Sequence, residues 1–319
     1  MAQKTYAQGG LEAIAEEMRK DKTIFYMSTD AIPSLLEEFG EQRVRSAPIA
    51  ESAMTGMAIG AAGSGFRPIV DWRQVTFSFV AMDQIVNQAS KIHYMFGGQA
   101  KFPILFRAGV GGGTRLAAQH SQSPYSMFMN LSGLKIILPS TARDAKGLLK
   151  TAIRDNNPVI SFESNRLMGF KDEVPEDDNF TIPLGKADIK RAGSDVTIVA
   201  FAWLVHEALA AADILAKEGI SVEVVDPRTL VPMDHHTIRR SVQKTGRCVV
   251  ADEAGPTCGA SAEIAALVTE DRETFNSLKA PIKRVCALAV PIPYSPVLED
   301  HVFPNRERIA AGVRDVLKA

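Results

Sequence analysis

Short runs rich in Val and Ile recur along this chain without polar alternation, separated by helix-sized segments: IFYM at 24–27, PIVDW at 68–72, ILFRA at 104–108, KIILP at 135–139 and VISFE at 159–163. A strand that is apolar on both faces needs cover on both, and helix-length connections return the chain to start a parallel neighbour. The pattern restricts residues 1–165 to a doubly wound α/β domain with a parallel sheet. Residues 166–194 carry both charge signs, prolines and glycines without helical periodicity, and read as a linker. The alternation resumes over 195–319 with VTIVAF at 196–201, VEVVD at 222–226, CVVAD at 248–252 and IKRVC at 282–286. That region reads as a second, smaller doubly wound α/β domain.

The totals narrow the possible roles. At 319 residues and 46% hydrophobic composition, the chain is long enough for two domains with cores of their own. A net charge of -1 gives no electrostatic case for nucleic acid or a membrane surface. The N-terminal stretch moves into an amphipathic helix around Leu11 to Arg19 without the apolar core of an export signal. No run approaches the ~20 charge-free residues of a membrane span, so the expectation is a soluble, cytoplasmic protein. The three cysteines, Cys248, Cys258 and Cys286, lie far apart with no CxxC spacing, and read as small core hydrophobes in a reducing compartment.

One carboxylate stands out. In SAPIAESAMTGMAIGAAGSG, residues 46–65, Glu51 heads a helix made almost wholly of Ala, Gly, Met and Ile, which is expected to be buried all round. Two readings fit: the acid complements the positive end of the helix dipole, or it exchanges a proton with a ligand, since burial disfavours the charged form of a carboxyl group. The glycine loop AGVGGGTR at 108–115 follows a strand but has Thr114 where a dinucleotide fingerprint needs its third glycine. Walker A, HExxH and G-x-S-x-G patterns are absent, which disfavours a P-loop, a zincin or a hydrolase with Ser121 as nucleophile. His120, in AAQHSQSPYS, follows the glycine loop near the carboxyl end of a strand, where catalytic groups of open α/β sheets gather; a structural or solvated histidine fits there as well.

Taken together, APIAESAMTGMAIGAA, MDQIVNQASKIHYMFGG, AAQHSQSPYS, LPSTARDAKGLLKTAIRDNNPVI, VDPRTLVPMD and KTGRCVVADEA resemble the β subunit of the E1 component of thiamine-diphosphate-dependent 2-oxo acid dehydrogenase complexes. The likeness runs in order along nearly the whole chain. It implies a pyrimidine-binding domain followed by a transketolase C-terminal-type domain. It also implies that Glu51 hydrogen-bonds N1′ of the cofactor's aminopyrimidine, favouring the tautomer that takes the proton from the thiazolium C2. By the same resemblance, Phe77 packs against the aminopyrimidine, although an ordinary strand hydrophobe fits its position too. His120 is then placed to bond substrate, and Ile104, Ala152, Ile153, Asp155 and Asn157 surround a structural potassium ion; a plain turn would look the same at 152–158.

Thiamine-diphosphate enzymes hold Mg²⁺ and the diphosphate with a GDG motif, and this chain has none. The resemblance therefore implies an E1 α subunit that supplies the Mg²⁺-binding half, in an α2β2 tetramer, with a lipoyl acyltransferase E2 as a further partner. The expected activity is an oxidoreductase that decarboxylates a 2-oxo acid, or cleaves acetoin, and passes the acyl group to lipoyl-E2. Two departures are visible: Ser28, Thr29 and Asp30 replace the family's Gly-Glu-Asp-like triplet, with a shortened loop after it, and Trp72-Arg73-Gln74-Val75 is more polar than usual. The altered loop motivates an alternative, a split transketolase-like transferase of two-carbon units outside any lipoyl complex. A catalytically silent binding subunit is the third reading, and the joint presence of Glu51, Phe77 and His120 argues against it.

Overall fold

The apolar runs become strands where the pattern puts them. The computed structural model describes residues 1–318, and the chain divides into two units, one of Met1–Val110 with Met127–Leu184 and one of Gly111–Ser126 with Gly185 onward. The first unit carries β1 (Ala2–Thr5), β2 (Ile24–Ser28), β3 (Val44–Ser46), β4 (Arg67–Gln74), β5 (Leu105–Val110), β6 (Lys135–Ile137), β7 (Val159–Ser164) and β8 (Lys171–Val174). Its main sheet runs β6-β7-β5-β4-β2-β3 with every pair parallel. β1 and β8 form a separate antiparallel ladder, with Ala2 opposite Val174.

The helix Tyr6–Lys20 begins at a capping box: Thr5 Oγ1 accepts from the Gln8 amide, and Gln8 Oε1 accepts from the Thr5 amide. It packs on the helix Ala142–Arg154, and Ile14, Met18, Leu148 and Leu149 of this pair join Tyr26 and Val159 in one core. A Cβ on Gly9 would lie 2.5 Å from the Ala142 carbonyl oxygen, so only glycine allows the two backbones this close. Lys146 and Lys150 are fully buried along the seam. Lys146 donates to Glu12 and Glu16 at 2.8 and 2.9 Å, and Lys150 donates to Glu16.

Burial pushes the Glu12 carboxyl up, but the hydrogen bonds from Lys146 and Lys4 more than offset it and hold the group below its usual range. Asp155 behaves alike, with burial opposed by Lys135 and Asn157. A carboxylate depressed on folding contributes stability above its unfolded value, roughly 4, and that contribution disappears as pH falls through the folded value. The thermal midpoint of the first unit is therefore expected to stay level from about pH 7 to 5 and to drop steeply below about pH 4. Differential scanning calorimetry across that range checks it, and a level midpoint down to about pH 3 would contradict it.

The second unit holds β9 (Asp188–Arg191), β10 (Val196–Ala200), β11 (Val222–Asp226), β12 (Thr229–Val231), β13 (Cys248–Asp252) and β14 (Lys283–Cys286). Its five-stranded sheet runs β14-β13-β10-β11-β9, parallel except for β9. The helices Trp203–Ala216 and Arg306–Lys318 bring Leu204, Leu215, Ile309 and Val313 onto Ile198, Val224 and Val249. Asp234 caps the helix His235–Thr245, accepting from the Thr237 amide at 3.1 Å, and leaves His235 and His236 exposed in its first turn.

Three expectations need adjusting. The 166–194 stretch holds β8 and β9, short strands with half-exposed polar side chains and none of the apolar run that marks a central strand. Residues 111–126, expected in the first domain, belong with the second unit, where Tyr125 donates its buried hydroxyl to Asp252 at the end of β13. Cys248 and Cys286 are buried, and burial alone pushes the Cys248 thiol up to about 12. Cys258, however, is exposed at φ 52°, on the loop after β13 and outside any core. Among the described residues, no helix is long and apolar enough to cross a membrane.

Candidate functional site

Glu51 opens the helix Glu51–Gly63, directly after β3 and its short exit loop. The helix is held by Trp72 of β4, whose Nε1 donates to Thr55 Oγ1 at 3.0 Å while its ring stacks on Phe106 at 4.6 Å. Ser52 Oγ donates to the Val80 carbonyl of the 3₁₀ segment Val75–Ala81. These contacts fix the first turn, and with it the Glu51 side chain, which is only 7% exposed. No hydrogen bond or ion pair from the described residues reaches that carboxylate. A buried carboxylate without a protein donor calls for an explanation beyond the fold.

The helix is not buried all round, as its composition leads one to expect. Met54, Thr55, Ala58, Ile59 and Ala62 are buried, but Ala53, Met57 and Gly60 form an exposed stripe, with Met57 55% exposed. The glycines also differ in role: a Cβ on Gly63 would meet the Phe102 ring at 3.2 Å, whereas one on Gly60 would meet open space. The stripe is exposed because nothing in the first unit covers it, and the sequence pattern of a fully buried helix does not distinguish cover within one chain from cover by another.

Phe77 lies half-buried on the 3₁₀ segment, not on a strand, and that segment packs against the Glu51–Gly63 helix. Glu51 and Phe77 therefore sit on two neighbouring elements that both follow carboxyl ends of strands in one sheet. His120 ends the four-residue helix Ala117–His120 in the second unit and is half-buried.

Of the residues expected around potassium, Ala152, Ile153, Asp155 and Asn157 lie at the end of one helix and in the turn after it, and Ile104 bonds to Val159 just beyond that turn. Arg67 donates to Ile153 O at 3.1 Å and Asp155 O at 2.9 Å. Ala152 O accepts the Asp155 amide, and Ile104 O accepts the Val159 amide. Asp155 Oδ1 takes both the amide and the Nδ2 of Asn157, and its Oδ2 takes Lys135 Nζ at 2.5 Å. Among the described residues, no group of three or more His, Cys, Asp or Glu could hold a metal.

Sequence reasoning misses a charged assembly beside these elements. Asp71 of β4 stands opposite Arg107 of β5 in the parallel register. Arg107 NH1 reaches Asp71 Oδ2 at 3.3 Å, and its Nε and NH2 make paired 2.8 Å bonds to the two oxygens of Glu163 on β7. Tyr26 donates to Asp71 at 2.7 Å. Burial and the neighbouring Asp71 raise the Tyr26 phenol well above its usual range. Burial opposes the Arg107 charge, but Glu163 and Asp71 outweigh it and raise that group too. The assembly borders a cavity of about 310 Å³, also lined by Arg73, Gln74, Gly109 and Asn165. Its signal in the sequence is one charged residue late in each of three otherwise apolar runs: PIVDW, ILFRA and VISFE.

Residues 2–171 match the family model for the transketolase pyrimidine binding domain, and residues 185–309 match that for the transketolase C-terminal domain. The acetoin:2,6-dichlorophenolindophenol oxidoreductase subunit beta of Cupriavidus necator is 45% identical, over 96% of this chain and 95% of its own length. The pyruvate dehydrogenase E1 component subunit beta of Rhizobium meliloti is 42% identical over 99% of this chain and 70% of its own. The 2-oxoisovalerate dehydrogenase subunit beta of Bacillus subtilis is 41% identical over 95% of both. Among solved structures, a split gene transketolase, an inactive beta4 tetramer, superposes with a TM-score of 0.81 over 98% of each chain at 23% identity, which shows a shared fold. With both domain models matched in order and relatives of this similarity along almost its full length, the chain belongs to the transketolase-like family, in its group of dehydrogenase E1 β subunits.

Proposed function

We propose that this chain forms the aminopyrimidine half of a thiamine-diphosphate site that cleaves acetoin or a 2-oxo acid, in an α2β2 enzyme that passes the acyl group to a lipoyl acyltransferase. The observation that carries the reading is Glu51, a carboxylate buried to 7% exposure with no donor among the described residues. An aminopyrimidine nitrogen is a fitting partner for such a group, and the half-buried Phe77 ring on the packed neighbouring segment fits the flat face of the same heterocycle. Bound thiamine diphosphate supplies a carbon nucleophile and a sink for the electrons released on C–C cleavage.

The chain's own residues then have distinct tasks. Glu51 holds a proton on its carboxylate and shares it with the aminopyrimidine ring. Phe77 fixes that ring's plane. His120 donates a hydrogen bond to the substrate oxygen or accepts its proton. The α subunit supplies the GDG motif and most of the Mg²⁺ ligands. The exposed stripe Ala53, Met57 and Gly60 supports a partner chain, because an apolar face on the very helix that carries the site is costly to leave in water. We place the enzyme in the cytoplasm. The split transferase of sugar units has no support beyond the fold shared with the transketolases.

The test is reconstitution. The chain alone is expected to show no turnover; with its α subunit, Mg²⁺ and thiamine diphosphate, it should reduce 2,6-dichlorophenolindophenol in the presence of acetoin or pyruvate. Activity with sugar phosphates alone would refute the assignment.

Potassium at Ile104, Ala152, Ile153, Asp155 and Asn157 is part of the same proposal. The Ile153 and Asp155 carbonyls each keep a lone pair beyond the one Arg67 uses, which leaves room for weak, hard-oxygen coordination. Replacing sodium by potassium at constant ionic strength should raise the melting temperature by a few degrees, about 1 kcal/mol. Equal melting curves in both salts would remove the ion from the account.

A further inference from the structure

The loop before His120 has an unusual backbone. From Gly111 to Ala117 every second residue is left-handed: Gly111 at φ 78°, Gly113 at 103°, Arg115 at 58° and Ala117 at 59°. Two of these are not glycine, and each such residue costs on the order of 1–3 kcal/mol unless its surroundings hold it there.

The surroundings come from the helix Pro296–Val302. Glu299, with no exposed surface, accepts the Gly113 amide on Oε1 at 2.6 Å and Arg115 NH1 on Oε2 at 2.8 Å. Asp300 takes the Arg115 fork in two bonds of 2.9 and 3.0 Å, and Pro296 O takes a further one at 3.1 Å. The loop's base is closed by the Gly111 amide on Gln122 O at 3.1 Å. At Gly112 a Cβ would lie 2.3 Å from the Phe303 ring, so the loop lies flat against the same helix end. The bonds from Asp300 and Glu299 raise the Arg115 guanidinium above its usual range, so its charge is constant at every working pH.

The four-residue helix that ends at His120 has no side-chain cap and is too short to set its own direction. Its direction is inherited from the strained loop, and the loop's shape from Arg115 and Glu299. We infer that Arg115, clamped on Glu299 and Asp300, is a positioning residue for the reaction: it holds the left-handed loop that aims His120 at substrate. This rests on the role of His120 given above. A bidentate clamp of this kind does what a catalytic loop needs, because misplacement by about 1 Å costs up to about 100-fold in rate.

The experiment is a double-mutant cycle on the assembled α/β enzyme with thiamine diphosphate. Arg115→Ala should lower kcat/KM for acetoin or pyruvate by about tenfold or more, with cofactor affinity unchanged. In a His120→Asn background the same change should cost less than about twofold, because the residue it acts through is gone. Equal losses in both backgrounds would overturn the inference and leave the His120 reading intact; a His120→Asn enzyme with full activity would overturn that reading, and this inference with it. Hydrogen exchange gives an activity-free readout: amides of 113–120 should exchange faster in Arg115→Ala, and unchanged protection would also overturn the inference. If Arg115→Ala fails to assemble, Asp300→Asn, at the half-exposed end of the clamp, should show the same pattern at smaller size.

Discussion

Glu51→Gln is expected to reduce kcat of the reconstituted enzyme by about 100- to 1,000-fold, while the protein folds and assembles normally. The glutamine keeps the shape and one acceptor oxygen but cannot take up and release a proton, and positioned proton transfer is worth roughly 10²–10⁴ in rate. A thousandfold loss corresponds to about 4 kcal/mol of barrier. The same variant separates the two readings of this acid. Were Glu51 only a partner for the positive end of its helix, the change would cost about 0.3–1 kcal/mol of stability and leave turnover alone. The larger effect is expected, because the carboxylate is buried and no donor among the described residues meets it. Since the exchange removes no hydrogen bond made within the described residues, the melting temperature of the variant should hold. Steady-state kinetics on the α/β enzyme, paired with calorimetry of the isolated chain, reads both quantities; wild-type turnover would end the proton-partner assignment.

Arg107→Met should destabilise the first unit by about 3–5 kcal/mol. The guanidinium is the shared counter-charge for Asp71 and Glu163, which are 8% and 4% exposed, and removing it leaves two nearly buried carboxylates facing each other across the central strands of the sheet. The cost is that of stranding the acids, not the worth of the ion pairs, so the sign should reverse when the acids go too. The triple variant with Asp71→Asn and Glu163→Gln is expected to recover most of the loss. Trp72, next to Asp71 on β4 and stacked on Phe106, reports this unit by fluorescence once Trp203 of the other unit is changed to Phe. An unfolding free energy from urea titration within about 0.5 kcal/mol of wild type for Arg107→Met would show that the acids find protons or water instead.

What the sequence made legible follows from how far apart the cooperating residues lie. Central strands announce themselves locally: VEVVD and CVVAD become β11 and β13 at the bounds their composition sets. The edge strands β1, β8 and β9 do not, because AQKT, KDEV and DIKR are half-exposed and polar, and only a partner across the ladder makes them strands. Glu51 was legible because one charge beside so many small apolar residues is a local anomaly. Asp71, Arg107 and Glu163 were not, since each charge looks like the ordinary end of its own run and the bonds join residues 36 and 56 positions apart. Arg115 was hidden further still, its carboxylate partner lying 184 positions away. Phe77 was expected through resemblance alone, and its 3₁₀ setting follows from the close of β4 at Gln74, after which the chain turns back over the Glu51–Gly63 helix.

The alternation of backbone hand from Gly111 to Ala117 imposes a parity on this segment. Losing or gaining one residue would exchange the two classes of position, sending Thr114 and Leu116 into the left-handed sites now held by Arg115 and Ala117. Thr114 is β-branched, the side-chain type least tolerant of positive φ. A one-residue change in loop length is therefore expected to strain this segment or force it to remodel, and with it the bearing of the histidine at its end.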